Sequence, residues 1–142
     1  MPVSDRPLRG LDVLVVEDDP DSLDVLRQAL EFFGARVAVA LTADEARHRL
    51  HATPPHVIVT DIELGRDNGI ELVEWLRAQP EARTNRVPAI AITGYHEHFE
   101  DRDAYGDVFA DWLLQPLRPE ALCAVILKAT SVPDRHRDRR GA

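Results

Sequence analysis

Acidic residues stand where short apolar runs end. The run Leu11 to Val16 leads into Glu17, Asp18 and Asp19, and Val57 to Thr60 leads into Asp61. A pair of carboxylates at one strand end and a third at another can bring hard oxygen ligands together. Mg²⁺ takes one or two carboxylates and fills the rest of its sphere with water and phosphate oxygens. Glu17, Asp18 and Asp61 are therefore a candidate acidic pocket. The triplet from Glu17 to Asp19 also suits the first turn of a helix, whose dipole favours negative charge, so a structural reading stands beside the chemical one. A further run from Pro88 ends on the hydroxyl of Thr93.

The elements that must position these residues follow from periodicity. Leu11 to Val16 reads as a buried strand, and Asp19 as an N-cap with Pro20 as the first helical residue. Leu23, Leu26, Leu30 and Phe33 keep helical spacing until Gly34. Arg36 to Leu41 alternates as a strand, and Thr42 with Glu45 has capping-box spacing for a helix to about Ala52. Val57 to Thr60 is a third strand; the loop from Ile62 to Gly69 leads to an amphipathic helix built on Ile70, Leu72, Val73, Trp75 and Leu76. Pro88 to Thr93 and Asp111 to Leu114 are the last strands. A short exposed helix is expected between Glu97 and Asp107, and a final one from Pro119 to about Thr130. Five strands alternating with five helices imply a parallel sheet covered on both faces, and such sheets bind ligands at the carboxyl ends of their strands. Glu17, Asp18, Asp61 and Thr93 all fall at that edge.

A chain of 142 residues, 44% hydrophobic, suffices for one domain with one core. Residues 1–9 are expected to be a flexible N-terminus, 10–130 the domain, and 131–142 a disordered basic tail carrying Arg135, Arg137, Arg139 and Arg140. No apolar run approaches the length of a membrane helix and the N-terminus lacks the order of a secretory signal, so a soluble, cytoplasmic protein is expected. The single cysteine, Cys123, excludes an intramolecular disulfide. A formal net charge of −8 works against nonspecific nucleic-acid binding. Lys128 is the only lysine.

In their order and spacing these segments resemble the receiver domains of two-component response regulators, over about Leu11 to Ala129. Val15-Val16-Glu17-Asp18-Asp19 is similar to the family's acidic box and Val57-Ile58-Val59-Thr60-Asp61 to its phosphoacceptor strand. Gly69 falls eight residues on, at the loop glycine. Ala89 to Gly94 resembles the strand carrying the hydroxyl residue, and Ala110 to Pro116 the strand that normally ends in Lys-Pro. The resemblance implies a doubly wound, flavodoxin-like (βα)5 fold with strand order 2-1-3-4-5. It makes Asp61 the acceptor of a phosphoryl group from phosphohistidine, and Mg²⁺ the cofactor, held at Glu17, Asp18, Asp61 and the backbone carbonyl of Glu63. Thr93 would hydrogen-bond a phosphoryl oxygen and Trp112 would occupy the aromatic switch position. A strand-end threonine also caps local backbone, and a tryptophan on a core strand also packs. Implied partners are a histidine kinase or phosphotransfer protein and a downstream protein target, with no nucleic acid and no membrane; a homodimer stays open. The chain would transfer the group to itself and lose it slowly, without being an enzyme in the ordinary sense.

Two departures stand out. Gln115 occupies the position of the family's lysine, so an amide that donates only neutral hydrogen bonds replaces an ammonium group. Gly65 replaces the usual proline of the loop after Asp61, which predicts a looser segment from Gly65 to Gly69. By the resemblance, Glu63 and Tyr95 occupy positions that influence how fast phosphoaspartate hydrolyses. One alternative is a degenerate receiver acting as a constitutive interaction module, supported by Gln115. Another is a haloacid-dehalogenase-like phosphohydrolase, whose motif Asp61-Ile62-Glu63-Leu64-Gly65 fails to match.

Overall fold

The computed structural model describes residues 6–141, with side chains at all of them except His96 and residues 132–141. Strands β1 (Asp12–Val16), β2 (Arg36–Ala40), β3 (Val57–Asp61), β6 (Ala89–Thr93) and β7 (Asp111–Leu114) form one parallel sheet in the order β2-β1-β3-β6-β7. Taken as five successive strands, this is the order 2-1-3-4-5, and the fold is flavodoxin-like. Helices α1 (Pro20–Phe32), α2 (Ala43–Ala52), α3 (Gly69–Arg77) and α6 (Pro119–Gly141) cross over between or beyond the strands. A short α4 (Ala82–Asn85), a short α5 (His96–Glu100) and a 3-10 turn (Arg102–Tyr105) complete the chain, with a two-strand hairpin of β4 (Glu63–Leu64) and β5 (Asp67–Asn68).

The central strands read as unbroken apolar runs because both sheet faces are covered. Leu14, Val16, Ile58, Ala89 and Ala91 pack with Leu50, Leu72 and Leu76 of α2 and α3. Val13, Val15, Val57, Val59, Ile90 and Ile92 pack with Leu26 and Leu30 of α1 and with Leu122 and Ile126 of α6. Successive residues of one strand thus belong to different clusters, so a one-residue slip would exchange the two cores. Register is thereby fixed, and Asp61 is held opposite Ile92.

The helix starts form as the sequence reading expects. Asp19 caps α1 by accepting from Ser22 N–H (3.0 Å), and Thr42 caps α2 by accepting from Glu45 N–H (3.1 Å). Glu45 Oε1 reaches back one residue beyond the cap, to Leu41 N–H. Arg77 at the end of α3 donates to the carbonyls of Asn85, Val87 and Val108, and ties three segments together without an acidic partner among the described residues.

Two boundaries differ from those read in the sequence. Of the expected flexible segment 1–9, residues 1–5 lie outside the described residues, but Leu8 is fully buried and its N–H donates to Phe33 O (2.9 Å). A lone leucine among polar neighbours has no periodicity to announce it, yet it completes the α1 side of the core. The backbone of α6 is helical through Gly141, past the end near Thr130 that apolar spacing predicts. Interspersed Arg and Asp can extend a helix without adding to an apolar face. The disordered tail expected from 131 falls on residues whose side chains, from 132 onward, lie outside those described. No described helix is long and apolar enough to cross a membrane.

Candidate functional site

The carboxyl edge of the sheet carries an acidic pocket. Glu17 and Asp18 follow β1, and Asp61 is the last residue of β3, its immediate neighbour. One carboxylate oxygen of each lies within 4.8 Å of the others. Glu17 is 4% exposed, Asp61 half-buried and Asp18 exposed, so the pocket is closed at its floor and open at its mouth. Glu17 Oε2 accepts from Asp19 N–H (3.1 Å), which ties the floor to the cap of α1.

Glu17 and Asp61 are held against their ordinary behaviour. Burial pushes Glu17 up to about 8, with Asp61 and Asp18 adding to the rise. Burial also raises Asp61, helped by the charges of Asp18 and Glu63 and opposed by hydrogen bonds from Glu17 and from Glu63 N–H. No basic side chain pairs with the three carboxylates among the described residues. Carboxylates in such proximity ionise together only when positive charge is supplied, and an all-oxygen set suits a hard divalent cation.

The loop after Asp61 is built by two glycines. Gly69 N–H donates to Ile62 O (2.8 Å), and a Cβ on Gly69 would stand 2.2 Å from Asp61 O. The backbones pass so closely that only glycine fits, which gives the spacing of eight residues its physical reason. Gly65 has φ +65° in the two-residue turn between β4 and β5, where Glu63 pairs with Asn68 and Leu64 with Asp67. Glycine at the first central position with positive φ is what a type II′ turn requires, and proline cannot adopt it. The segment expected to be looser is instead pinned as a hairpin, and Asn68 Oδ1 caps α3 by accepting from Ile70 N–H (2.6 Å).

The remaining residues sit on the same edge with different engagements. Thr93 is buried, and its Oγ1 accepts from Tyr95 N–H (3.0 Å), so in this structure it caps the start of the loop to α5. Gln115 follows β7, and its N–H donates to Thr93 O (2.7 Å). Its amide oxygen lies 3.6 Å from where a Cβ would stand on Gly94. Trp112 points into the core at 6% exposure, edge-on to Phe109 (ring centroids 5.1 Å) and near Tyr105 (6.2 Å). Its indole N–H is buried without a partner among the described residues. Glu63 donates its N–H to Asp61 Oδ1 (3.0 Å), and its carboxylate meets His98 Nε2. His98 has no motif to mark it, since 35 residues separate it from Glu63 and no periodic pattern runs through its neighbours.

Open doubly wound sheets place their ligand sites at the carboxyl ends of the strands, and the clustered carboxylates lie at that edge. Residues 13–127 match the response regulator receiver domain, and the chain belongs to that family. It is 38% identical over 121 residues to an uncharacterized 14.6 kDa protein in the sodA1 3′ region of Leptolyngbya boryana, covering 85% of this chain and 91% of that one. With the two-component response regulator PprB of Pseudomonas aeruginosa it shares 30% identity over 120 residues, 83% of this chain but 43% of PprB. Among solved structures, a CheY-like response regulator receiver domain protein from Methanospirillum hungatei superposes with a TM-score of 0.78 at 25% identity, covering 89% of this chain and 98% of that one.

Proposed function

We propose that this receiver domain accepts a phosphoryl group on Asp61 from a histidine kinase or phosphotransfer protein and signals through contact with another protein in the cytoplasm. The observation that carries this reading is the acidic pocket: three carboxylates within 4.8 Å, with Asp61 at a strand terminus and no cationic side chain beside them among the described residues. Glu17, Asp18 and Asp61, with the backbone carbonyl of Glu63, are the residues that would hold Mg²⁺. A divalent cation there supplies the positive charge that offsets charge on the transferring group. An oxygen of Asp61 attacks phosphorus as the phosphorus–nitrogen bond of phosphohistidine breaks, its electron pair returning to the imidazole. Glu63 N–H, bonded to Asp61 Oδ1, keeps the carboxylate oriented. Thr93 would exchange Tyr95 N–H for a phosphoryl oxygen, with Gln115 donating from its amide and Trp112 as the aromatic partner of the change. The domain modifies itself and turns over no external substrate.

Gln115 favours a second reading, a module that keeps the fold and binds its partner without phosphorylation. Incubation with radiolabelled acetyl phosphate separates the two. Label that appears with Mg²⁺ and is absent in EDTA supports the acceptor. A chain that never labels but binds its partner all the same is the constitutive module.

A further inference from the structure

The opposite edge of the sheet, where the strands begin, carries a cavity of about 380 Å³ that phosphoryl chemistry at Asp61 does not use. Its apolar walls are Leu11 ahead of β1, Pro55 ahead of β3, Val87 and Pro88 ahead of β6, and Ala129 of α6. Among its polar groups, the Thr130 hydroxyl is already donated to Ile126 O (2.8 Å). The others are nitrogen donors: Arg83 and Arg86, spaced to share one face of the α4 turn, and His56 at the start of β3. His56 Nδ1 accepts from Asp12 N–H (2.8 Å), which leaves the ring proton of the neutral imidazole on Nε2. The Asp12 carboxylate is taken by Arg36, whose Nε (2.7 Å) and Nη2 (3.2 Å) bind its two oxygens. No carboxylate lines the cavity, and neither Arg83 nor Arg86 forms an ion pair among the described residues. Behind the wall, Arg77 donates to Asn85 O (3.0 Å) and Val87 O (2.6 Å), the carbonyls on either side of Arg86. The backbone carrying Arg86 is thereby fixed, and a third guanidinium adds its charge. In a chain of net charge −8 this is a local excess of positive charge.

We propose that this cavity binds a small phosphate monoester with an apolar body. The phosphate lies against Arg83, Arg86 and the Nε2–H of His56, and the body fills the space between Leu11, Val87, Pro88 and Ala129. A phosphate dianion offers three terminal oxygens, which suit two planar guanidinium forks and one imidazole N–H; a carboxylate offers two oxygens and half the charge. The apolar walls favour an ester over the bare ion, because they gain only when apolar surface leaves water. The site is separate from the acidic pocket: His56 and Asp61 stand at opposite ends of β3, roughly 16 Å apart at the rise of a strand. It does not depend on Asp61 being a phosphoryl acceptor.

The test is a titration of the ¹⁵N-labelled full chain with 1-naphthyl phosphate, in EDTA so that no divalent ion gathers phosphate at Asp61. Backbone amide shifts should move saturably at Leu11, His56, Val87 and Ala129 and stay still at Asp18, Asp61 and Gly69. Three comparison compounds, 1-naphthol, 1-naphthoate and inorganic phosphate, should each bind at least about tenfold more weakly, because each lacks part of the charge or the apolar body. Arg83→Gln and Arg86→Gln should each weaken binding of 1-naphthyl phosphate by about threefold to tenfold, the low end for a charge-assisted bond because both arginines are exposed. Arg118→Gln, outside the cavity, should bind like the parent. Amide spectra away from α4 show whether each variant is folded. Shifts gathered at the acidic edge or along α1 overturn the proposal, as does a comparison compound that binds as tightly. Folded Arg83→Gln and Arg86→Gln variants that bind like the parent overturn it too, and so does a parent with no saturable shift at millimolar 1-naphthyl phosphate.

Discussion

Replacing Glu17 by Gln should change how the stability of the domain depends on pH. Burial raises the Glu17 pKa from 4.5 to about 8, with Asp61 and Asp18 adding to the rise. Between those values the folded state holds a proton that the unfolded chain has released. The stability this contributes is fully present below 4.5 and is lost as pH rises to about 8. At about 1.4 kcal/mol per pKa unit the whole span would reach ~5 kcal/mol. The pocket mouth is open at the exposed Asp18 and water screens the charge, which brings the expected loss to about 2 kcal/mol. Glu17→Gln has no such proton to lose, and its amide oxygen can still accept from Asp19 N–H. Urea midpoints measured in EDTA from about pH 5 to about pH 9 should fall for the parent and fall less for the variant, in which only Asp61 keeps a raised pKa. Millimolar Mg²⁺ should flatten the parent's curve by binding the ionised carboxylates. Parallel curves for parent and variant would refute the claim that burial of this acid destabilises the pocket at high pH.

Gly69→Ala should destabilise the domain by about 1–3 kcal/mol, the usual effect of overpacking, because its Cβ would stand 2.2 Å from Asp61 O; thermal melting checks the loss. Mg²⁺ should raise the melting temperature of the parent by mass action, and Asp18→Asn should abolish that rise; an Asp18→Asn variant that responds like the parent contradicts the ligand assignment. Gln115→Lys should restore a charge-assisted bond to the phosphoryl group, worth on the order of 1 kcal/mol over the neutral one. Chemical-shift changes at Thr93 and Trp112 on adding beryllofluoride should then be larger than in the parent. Unchanged shifts would mean that the lysine's role is met by another group.

The acidic pocket was legible because its residues terminate runs of β-branched and aliphatic side chains, and a parallel sheet brings the ends of neighbouring strands together. Asp61 and Asp18 needed only that rule, whereas Gly69 was marked by the family resemblance. Gly65 was readable as a glycine but not as a turn, because the hairpin of β4 and β5 depends on a backbone conformation that composition does not display. The contact of Glu63 with His98 escaped for a different reason: it joins two loops distant in sequence and leaves no periodic trace. Leu8 lay outside every pattern because one buried side chain has no period. For Thr93 and Trp112 the resemblance implied positions but not their engagements, since hydrogen bonding to Tyr95 and packing on Phe109 are decided by neighbours the strand itself does not name.

The central claim is that Asp61 carries the phosphoryl group, and the direct measurement is the site of label after incubation with radiolabelled acetyl phosphate and Mg²⁺. All label should map to the peptide containing Asp61, and Asp61→Asn should take up none while melting at or above the temperature of the parent, since it relieves the crowding of acids in the pocket. Label at the parental level in a folded Asp61→Asn variant would contradict the account.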